Sequence, residues 1–368
     1  MTFNGLRVAL VGPLPPPAGG MANQTRQLAE LLRGEGATVE VVQVNAPYRP
    51  AWVGRIQGVR AVARLLPYLW ALFRAAGRAD VMHVMANSGW SWHLFAAPAV
   101  WIASLRGVPV IVNYRGGEAE PFLRRSVASV RPTMARAAQL VLPSGFLQEV
   151  FARFGMPGRV VSNIIDLDRF HPVPSKGGAH LMVARNLEAI YGIDTALKAF
   201  AILHAARPDA TLSVAGSGPL EGELKALAAE LGVAEHVRFT GRLDRDQMAA
   251  LYRDADLSLN PSRVDNMPNS VLESLASGVP VVSTDVGGIP YIVRHEQTAL
   301  LVPRDAPEAM AAEALRLLGD ASLATRLREA GLAEVRRYSW PSVRNELLTA
   351  YRDAMQSHHQ PAARQTKD

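Results

Sequence analysis

Apolar positions along the chain fall into short unbroken runs, separated by longer stretches in which they recur every three or four residues. The first kind reads as a strand buried on both faces, the second as a helix with one buried stripe. In the first half, strands are expected at 6–11, 39–44, 81–85, 108–113, 139–143 and 160–165, with a helix at 21–33. In the second half they are expected at 180–183, 211–215, 237–240, 257–260 and 280–284. Helices at 194–206, 220–231, 245–254 and 270–277 lie between them. Strands alternating with helices imply a parallel sheet wound on both sides, and here the pattern occurs twice. A Pro/Gly-rich loop, 171–178, separates the two sets. The expected division is a domain over 1–170, a second over 171–340, a helix over 341–356 and a disordered polar tail over 357–368. Two such domains facing each other would enclose a central cleft at the carboxyl ends of their strands, where open α/β sheets bind ligands.

The length, 368 residues, suits two domains, and 49% hydrophobic with 20% charged residues excludes wholesale disorder. There is no cysteine, which excludes disulfides, thiolate metal sites and Cys nucleophiles. The nine His are dispersed, and none forms an HExxH arrangement. The apolar stretches 61–76 and 94–105 are too interrupted or too short to cross a bilayer. The first residues enter a strand pattern without the apolar core of a signal peptide. A soluble, cytoplasmic chain is the expectation.

Charge is unevenly distributed. Residues 1–170 carry 18 Arg, no Lys and 9 acids, a balance of +9, whereas 171–368 carry 21 basic and 24 acidic residues, a balance of −3. Such asymmetry suggests that the first half meets an anionic partner. The segment 41–79 holds six Arg and no acid. Within it Arg60, Arg64, Arg74 and Arg78 fall at helical spacings beside Val62, Leu65, Leu66, Leu69, Leu72 and Phe73. It reads either as a basic amphipathic surface for anionic lipid, kinked at Pro67, or as a domain helix with a solvated Arg face. No recognition motif accompanies the charge, so nucleic acid is not an expected partner.

Candidate chemistry concentrates where the strand 257–260 runs into Asp265-Asn-Met-Pro-Asn-Ser-Val-Leu-Glu273. Asn and Ser are good caps and Pro suits a first turn, so a helix should start near 268–270. Its free N–H groups and dipole would suit an anionic phosphate. Asp265 on the loop and Glu273 in the helix would lie at different depths, and carboxylates, which only accept hydrogen bonds, suit hydroxyl-rich ligands. Taken alone, both acids read more readily as solvated surface residues, and it is the surrounding strand, cap and Gly turn that favour a site. Arg185 follows the strand 180–183, where its guanidinium would clamp a diphosphate or make a surface ion pair. Gly19 and Gly20 close a loop after the first strand and would let backbone approach a ligand, or simply make a turn. Arg115, in Asn113-Tyr-Arg-Gly-Gly-Glu-Ala-Glu120, would either meet phosphate or pair with Glu118 or Glu120. His83, alone among apolar residues of a strand, is also an ordinary structural histidine.

With two acids separated by seven intervening residues ahead of an apolar helix and the strand Gly278-Val-Pro-Val-Val282, the sequence resembles the retaining glycosyltransferases of family 4, the group 1 glycosyltransferases. The resemblance covers nearly the whole chain. It implies the GT-B fold: two Rossmann-like, doubly wound parallel-sheet domains facing a central cleft. Residues 1–170 would be the acceptor domain and 171–340 the donor domain, with the helix 341–356 packing back toward the first. The implied reaction is metal-independent, retaining transfer from a nucleotide-diphosphate sugar to an acceptor hydroxyl. Glu273 would bind ribose and Asp265 orient the sugar. Amides of Asn269, Ser270 and Val271 would hold the diphosphate together with Arg185. Gly19, Gly20, Tyr191, Arg242 and Gly216, in the turn Ala215-Gly-Ser-Gly-Pro-Leu220, join the donor candidates. His83, Arg115 and Glu118 are placed on the acceptor side, and Arg115 is counted with Asp265 and Arg185 among the catalytic residues.

The sequence departs from the family pattern in three places. Asp265 stands for Glu, Tyr191 for Lys, and Arg115 for His. Either Tyr191 supplies only a hydrogen bond in place of that charge, or Arg263 or Arg115 compensates. No cofactor and no metal is implied. Asp254-Ala-Asp256 looks like the metal-binding Asp-x-Asp of another glycosyltransferase fold, but it falls where a helix runs into a strand. The expected partners are the donor, a saccharide or lipid-linked acceptor in cell-surface polysaccharide assembly, and an anionic membrane surface met through 41–79 on the inner face of the plasma membrane. Two alternatives stay open: a sugar-nucleotide epimerase on the same fold, and a catalytically weak nucleotide-sugar-binding protein.

Overall fold

The computed structural model describes residues 2–16, 19–48, 52, 59–174 and 177–359. Two compact units divide the chain: 1–162 together with 343–368, and 163–342. The first contains β1 (Arg7–Gly12), α1 (Gly20–Gly34), β2 (Thr38–Gln43), α2 (Val59–Ala76), β3 (Val81–Ala86), α3 (Ala97–Leu105), β4 (Val110–Tyr114), α4 (Ala119–Met134), β5 (Gln139–Leu142), α5 (Gly145–Arg153) and β6 (Arg159–Val160). The second contains β7 (His180–Ala184), α6 (Ile193–Ala206), β8 (Thr211–Ala215), α7 (Glu221–Glu230), β9 (Val237–Gly241), α8 (Arg245–Asp254), β10 (Leu257–Asn260), α9 (Asn269–Ala276), β11 (Val281–Thr284), β12 (Leu300–Val302), α10 (Pro307–Gly319) and α11 (Ala321–Val335). A last helix, α12 (Trp340–His359), carries the chain back into the first unit.

Each unit is built on six parallel strands, as the double βα pattern implies. Parallel strands covered on both faces need apolar side chains in both directions, which is why they read as runs rather than alternations. In β7, Leu181 and Val183 enter one core cluster while Met182 enters another, so the sheet is sealed on both sides. Helix starts follow from capping chemistry: Asp244 caps α8 reciprocally with Gln247, and the Ser144 hydroxyl accepts from the Leu147 amide at 3.4 Å to open α5.

The two sheets differ in strand order. The first runs β2-β1-β3-β4-β5-β6 and the second β12-β11-β10-β7-β8-β9. Chain direction across the sheet reverses between β1 and β3 in the first unit and between β7 and β10 in the second. Loops at such a reversal diverge to opposite faces and leave a crevice at the carboxyl ends of the strands. The segments that follow β7 and β10 hold Arg185 and Asp265.

Several expectations are corrected. The strand expected at 160–165 shrinks to Arg159–Val160. After Val161, whose amide bonds Leu142 O at 2.8 Å, the chain leaves that sheet: the Ile165 amide donates to Tyr338 O at 2.8 Å, and Ile165 and Phe170 bury in the second unit. The pattern missed β12, whose three residues are too few to show a period, and it also left α10 and α11 unassigned. The helix α12 continues to His359, three residues into the stretch expected as tail, and 360–368 lie outside the described residues. The helix of the basic segment runs through Pro67 and ends at Ala76, so Arg78 lies beyond it, paired with Glu40.

Phe170 meets Tyr252 edge-on, with ring centroids 5.8 Å apart. Truncation to Phe170→Ala is expected to cost about 3–5 kcal/mol in denaturant unfolding. A cost below about 1 kcal/mol would mean that 163–170 is only a connector.

Candidate active site

At the reversal point of the second unit, β7 delivers Arg185 and β10 delivers the loop 261–266. The Arg185 amide is held by Ala215 O at 3.0 Å. Its side chain is only 11% exposed. Nε donates to Asn260 Oδ1 and to Ser262 Oγ, each at 3.1 Å, and Nη2 donates to Ser262 Oγ at 2.8 Å. The guanidinium is ion-paired with Asp265. The carboxylate is itself fixed by the Asn266 amide at 2.9 Å and the Ser262 hydroxyl at 3.3 Å. Burial pulls the Arg185 guanidinium down to about 10, so it stays charged at neutral pH.

The loop is held from behind by residues the motif reading missed. The Gly288 amide donates to Asp265 O at 2.9 Å, and the Thr284 hydroxyl to Ser262 O at 2.6 Å. A Cβ on Gly288 would overlap Asn266 O, and one on Gly287, whose φ is +56°, would overlap Asp265 O. Only glycine permits that approach. The signal was present as Asp285-Val-Gly-Gly288 just after the strand expected at 280–284. Gly216 does the same behind Arg185, where a Cβ would meet the Arg185 carbonyl.

The helix α9 begins at Asn269 after Pro268, which supplies no side-chain cap. Of the three amides assigned to a diphosphate, Val271's is already taken by Pro268 O at 3.2 Å, which removes it from that role. Asn269 and Ser270 remain as helix-start donors. The Asn269 side chain accepts from Asn163 Nδ2 at 2.8 Å. The Ser270 hydroxyl is buried and has no hydrogen-bond partner. Four residues after Asn269, burial pushes the Glu273 carboxyl up to about 7, against the opposing pull of Tyr252, Arg245 and Arg185. Tyr252 was also missed: its buried hydroxyl donates to Ser270 O at 3.2 Å and joins α8 to α9.

Tyr191 lays its ring against Arg185, 4.8 Å from the guanidinium, and so contributes a π face where the family pattern has a cation. Arg263 does not compensate. It donates to Asp305 at 2.6 Å, Ala189 O at 2.7 Å and Asp194 at 2.8 Å, a structural clamp. Arg242 is exposed just past β9. Asp254 and Asp256 straddle the end of α8 and the start of β10, and both engage His180. Among the described residues, no group of three or more His, Asp or Glu could hold a metal ion.

The first unit holds a separate polar chain. His83 is fully buried in β3, with Nδ1 2.8 Å from the Tyr351 hydroxyl and Nε2 3.0 Å from Asn113 Nδ2. Since the Asn113 amide can only donate, Nε2 accepts and Nδ1 carries the proton. Burial, reinforced by Arg115, lowers the ring to about 3, so it stays neutral. His83 has no exposed surface for an acceptor, which corrects its placement as a contact residue. Asn113 Oδ1 in turn accepts from Arg115 Nε at 3.1 Å, so His83 acts on Arg115 at one remove. Glu120 is committed to Arg124 and Arg153, and exposed Glu118 opens α4. Gly19 is extended, and a Cβ there would meet nothing within 4 Å, so the fold does not require glycine at that position. Gly20 is the first residue of α1.

Comparison with known proteins decides the family. The model for glycosyl transferases group 1 matches 165–333, and that for the glycosyl transferase 4-like domain matches 19–163. The chain belongs to the group 1 glycosyltransferases. Among curated relatives, a D-inositol 3-phosphate glycosyltransferase of Jonesia denitrificans is 33% identical over 47% of this chain and 43% of its own length. A glycogen synthase of Mycobacterium tuberculosis is 26% identical over 98% of this chain and 97% of its own. Among solved structures, sucrose-phosphate synthase from Thermosynechococcus elongatus matches with a TM-score of 0.74 and 20% identity, over 96% of this chain and 100% of that one. Anabaena HepE, solved with UDP, matches with a TM-score of 0.71 and 15% identity, over 94% and 99%. These likenesses establish the GT-B fold for this glycosyltransferase.

Glu273 also links the site to stability. Its carboxyl sits at about 7 in the folded enzyme against 4.5 when unperturbed. Below the lower value both states are protonated and nothing is lost. Between the two, only the unfolded chain ionises, so stability falls as pH rises, by about 3 kcal/mol once both values are passed. Glu273→Gln is therefore expected to match the wild type near pH 4.5 and to exceed it above pH 8 in chemical denaturation. An equal difference at both pH values would contradict the buried-carboxyl assignment.

Proposed function

We propose that the second unit binds a nucleotide-diphosphate sugar, and that the enzyme passes the sugar to an acceptor hydroxyl with retained anomeric configuration and without a metal ion. One observation carries this reading: a buried guanidinium, a helix start with an unpartnered Ser270 hydroxyl, and the Glu273 carboxyl all belong to segments that leave β7 and β10. A cation and helix-start amides suit a diphosphate, and a carboxylate suits ribose hydroxyls. Anabaena HepE, of like fold, was solved with UDP and also with UDP-glucose, which supports a donor of this class.

On this reading the acceptor oxygen bonds to the anomeric carbon on the face from which the phosphate departs. The sugar–phosphate bond breaks, and the departing phosphate oxygen takes the acceptor proton. The route needs no protein nucleophile. Arg185 and the amides of Asn269 and Ser270 stabilise the charge growing on the diphosphate, and Asp265 orients the sugar. In the first unit, Gly19, Gly20, Arg115 and Glu118 serve donor phosphate and acceptor. The acceptor is a saccharide or lipid-linked saccharide of cell-surface polysaccharide assembly, reached at the cytoplasmic face of the membrane. The +9 balance of residues 1–170 supports that placement.

Asp265 has a double part. It is paired with Arg185 in the structure, so an arriving diphosphate competes with it for the same cation and frees it toward the sugar. Asp265→Asn removes the competing charge. UDP, GDP and ADP are the probes: at least one should bind the wild type in calorimetry, and the variant should hold it at least about threefold tighter, with transfer reduced about 100-fold. Equal or weaker binding by the variant would contradict the competition, and no binding by the wild type would contradict the donor site.

A further inference from the structure

Away from its arginines the helix α2 is apolar over a wider arc than a single buried stripe needs. Among its described side chains only part of that arc is covered. Tyr68, Leu72, Ala75 and Ala76 enter the core of the first unit. Leu66, Trp70 and Phe73, at i, i+4 and i+7, share another stripe and are 62%, 63% and 43% exposed. Trp70 and Phe73 are stacked, with ring centroids 6.2 Å apart and planes 14° from parallel. The end of α3 continues this surface. Arg106 sits with its guanidinium 4.4 Å from the centre of the Phe73 ring, and its neighbour Leu105 is 81% exposed. Arg74, next to Phe73, is exposed as well.

The sequence around the stripe is strongly basic. Residues 41–117 contain eight Arg and a single acid, Asp80. Asp80 is occupied by Arg7, through the Arg7 amide at 2.8 Å and its guanidinium at 2.5 Å. An aromatic and aliphatic stripe flanked by Arg74 and Arg106 is complementary to one kind of surface. Aromatic rings settle at the level of lipid headgroups, aliphatic side chains reach the acyl boundary, and arginines pair with lipid phosphate.

We propose that the first unit docks on an anionic phospholipid bilayer by inserting Leu66, Trp70 and Phe73, with Leu105 beside them and Arg74 and Arg106 at the headgroups. This deepens the membrane part of the reading above and is independent of the donor site. It also changes which side chains do the work. The sequence pattern pointed to an arginine face of 41–79, but Arg64 stacks on Tyr48 at 4.2 Å and Arg78 pairs with Glu40, so the exposed apolar stripe supplies the contact.

The test is co-sedimentation of the full chain with vesicles of phosphatidylcholine alone or mixed with phosphatidylglycerol. Three forms are compared: wild type, the triple variant Leu66→Gln/Trp70→Gln/Phe73→Gln, and the double variant Arg74→Gln/Arg106→Gln. The wild type is expected to sediment with the anionic vesicles. The triple variant should partition at least about tenfold more weakly, and the double variant should lose the preference for anionic over neutral lipid. Nucleotide binding and melting temperature should be unchanged in both, because the substituted side chains are exposed. If the triple variant binds vesicles as the wild type does, the insertion stripe is wrong while the membrane reading survives on charge alone. If the wild type binds no vesicle, both fall. If the triple variant instead dissolves a self-association seen by sedimentation velocity, the stripe belongs to a second copy of the chain and the inference is overturned.

Discussion

A guanidinium taken out of water must be given partners, and around Arg185 that demand shapes the edge of the second unit. A buried charge left unpaired costs several kcal/mol. Asn260, Ser262 and Asp265 meet the need, but only because the loop 261–266 folds back over the end of β7. The loop in turn lies flat because Gly287 and Gly288 present no side chain beneath it. The result is a cation already largely desolvated and oriented, so that on the proposed reading a ligand phosphate exchanges for Asp265 rather than for a full water shell. That is the physical sense in which the site is organised in advance. The same arrangement sets Asp265 as the internal stand-in for an anion.

The first unit solves a parallel problem with neutral groups. Tyr351, His83 and Asn113 form a buried hydrogen-bonded chain that ends on Arg115. A histidine held at about 3 cannot trade protons at neutral pH, so its contribution is positional. The chain also explains why α12, last in sequence, belongs to the first unit. Tyr351 packs edge-on against Phe3 at 5.7 Å, Arg344 grips Glu35 at 2.6 and 2.7 Å, and Asp353 pairs with Arg159 at 2.5 Å.

Much of the fold was legible because parallel sheets buried on both faces write themselves as apolar runs. The strand 257–260 and the helix 245–254 were read to the residue. What escaped has physical causes. The exchange of the chain between units at 163 depends on where Ile165 and Phe170 bury, which no local period reveals. Strand order depends on long-range pairing, so the different reversal points of the two sheets were not in the pattern. At the candidate site, motif spacing singled out Arg185, Asp265 and Glu273, whereas Asn260, Ser262, Tyr252 and Thr284 have no signature apart from the fold that gathers them. Arg263, named as a substitute cation without a positional argument, is held by two carboxylates, and only geometry could show that.

The account stands or falls on Arg185 as the seat of the diphosphate. Calorimetric titration of Arg185→Gln and wild-type enzyme with whichever of UDP, GDP and ADP binds the wild type, with melting temperature followed in parallel, tests it most directly. A loss of at least about 100-fold in affinity, in a variant that still melts cooperatively, is the result predicted for a desolvated charge that meets phosphate. An affinity within about threefold of wild type would place the nucleotide elsewhere and contradict the account.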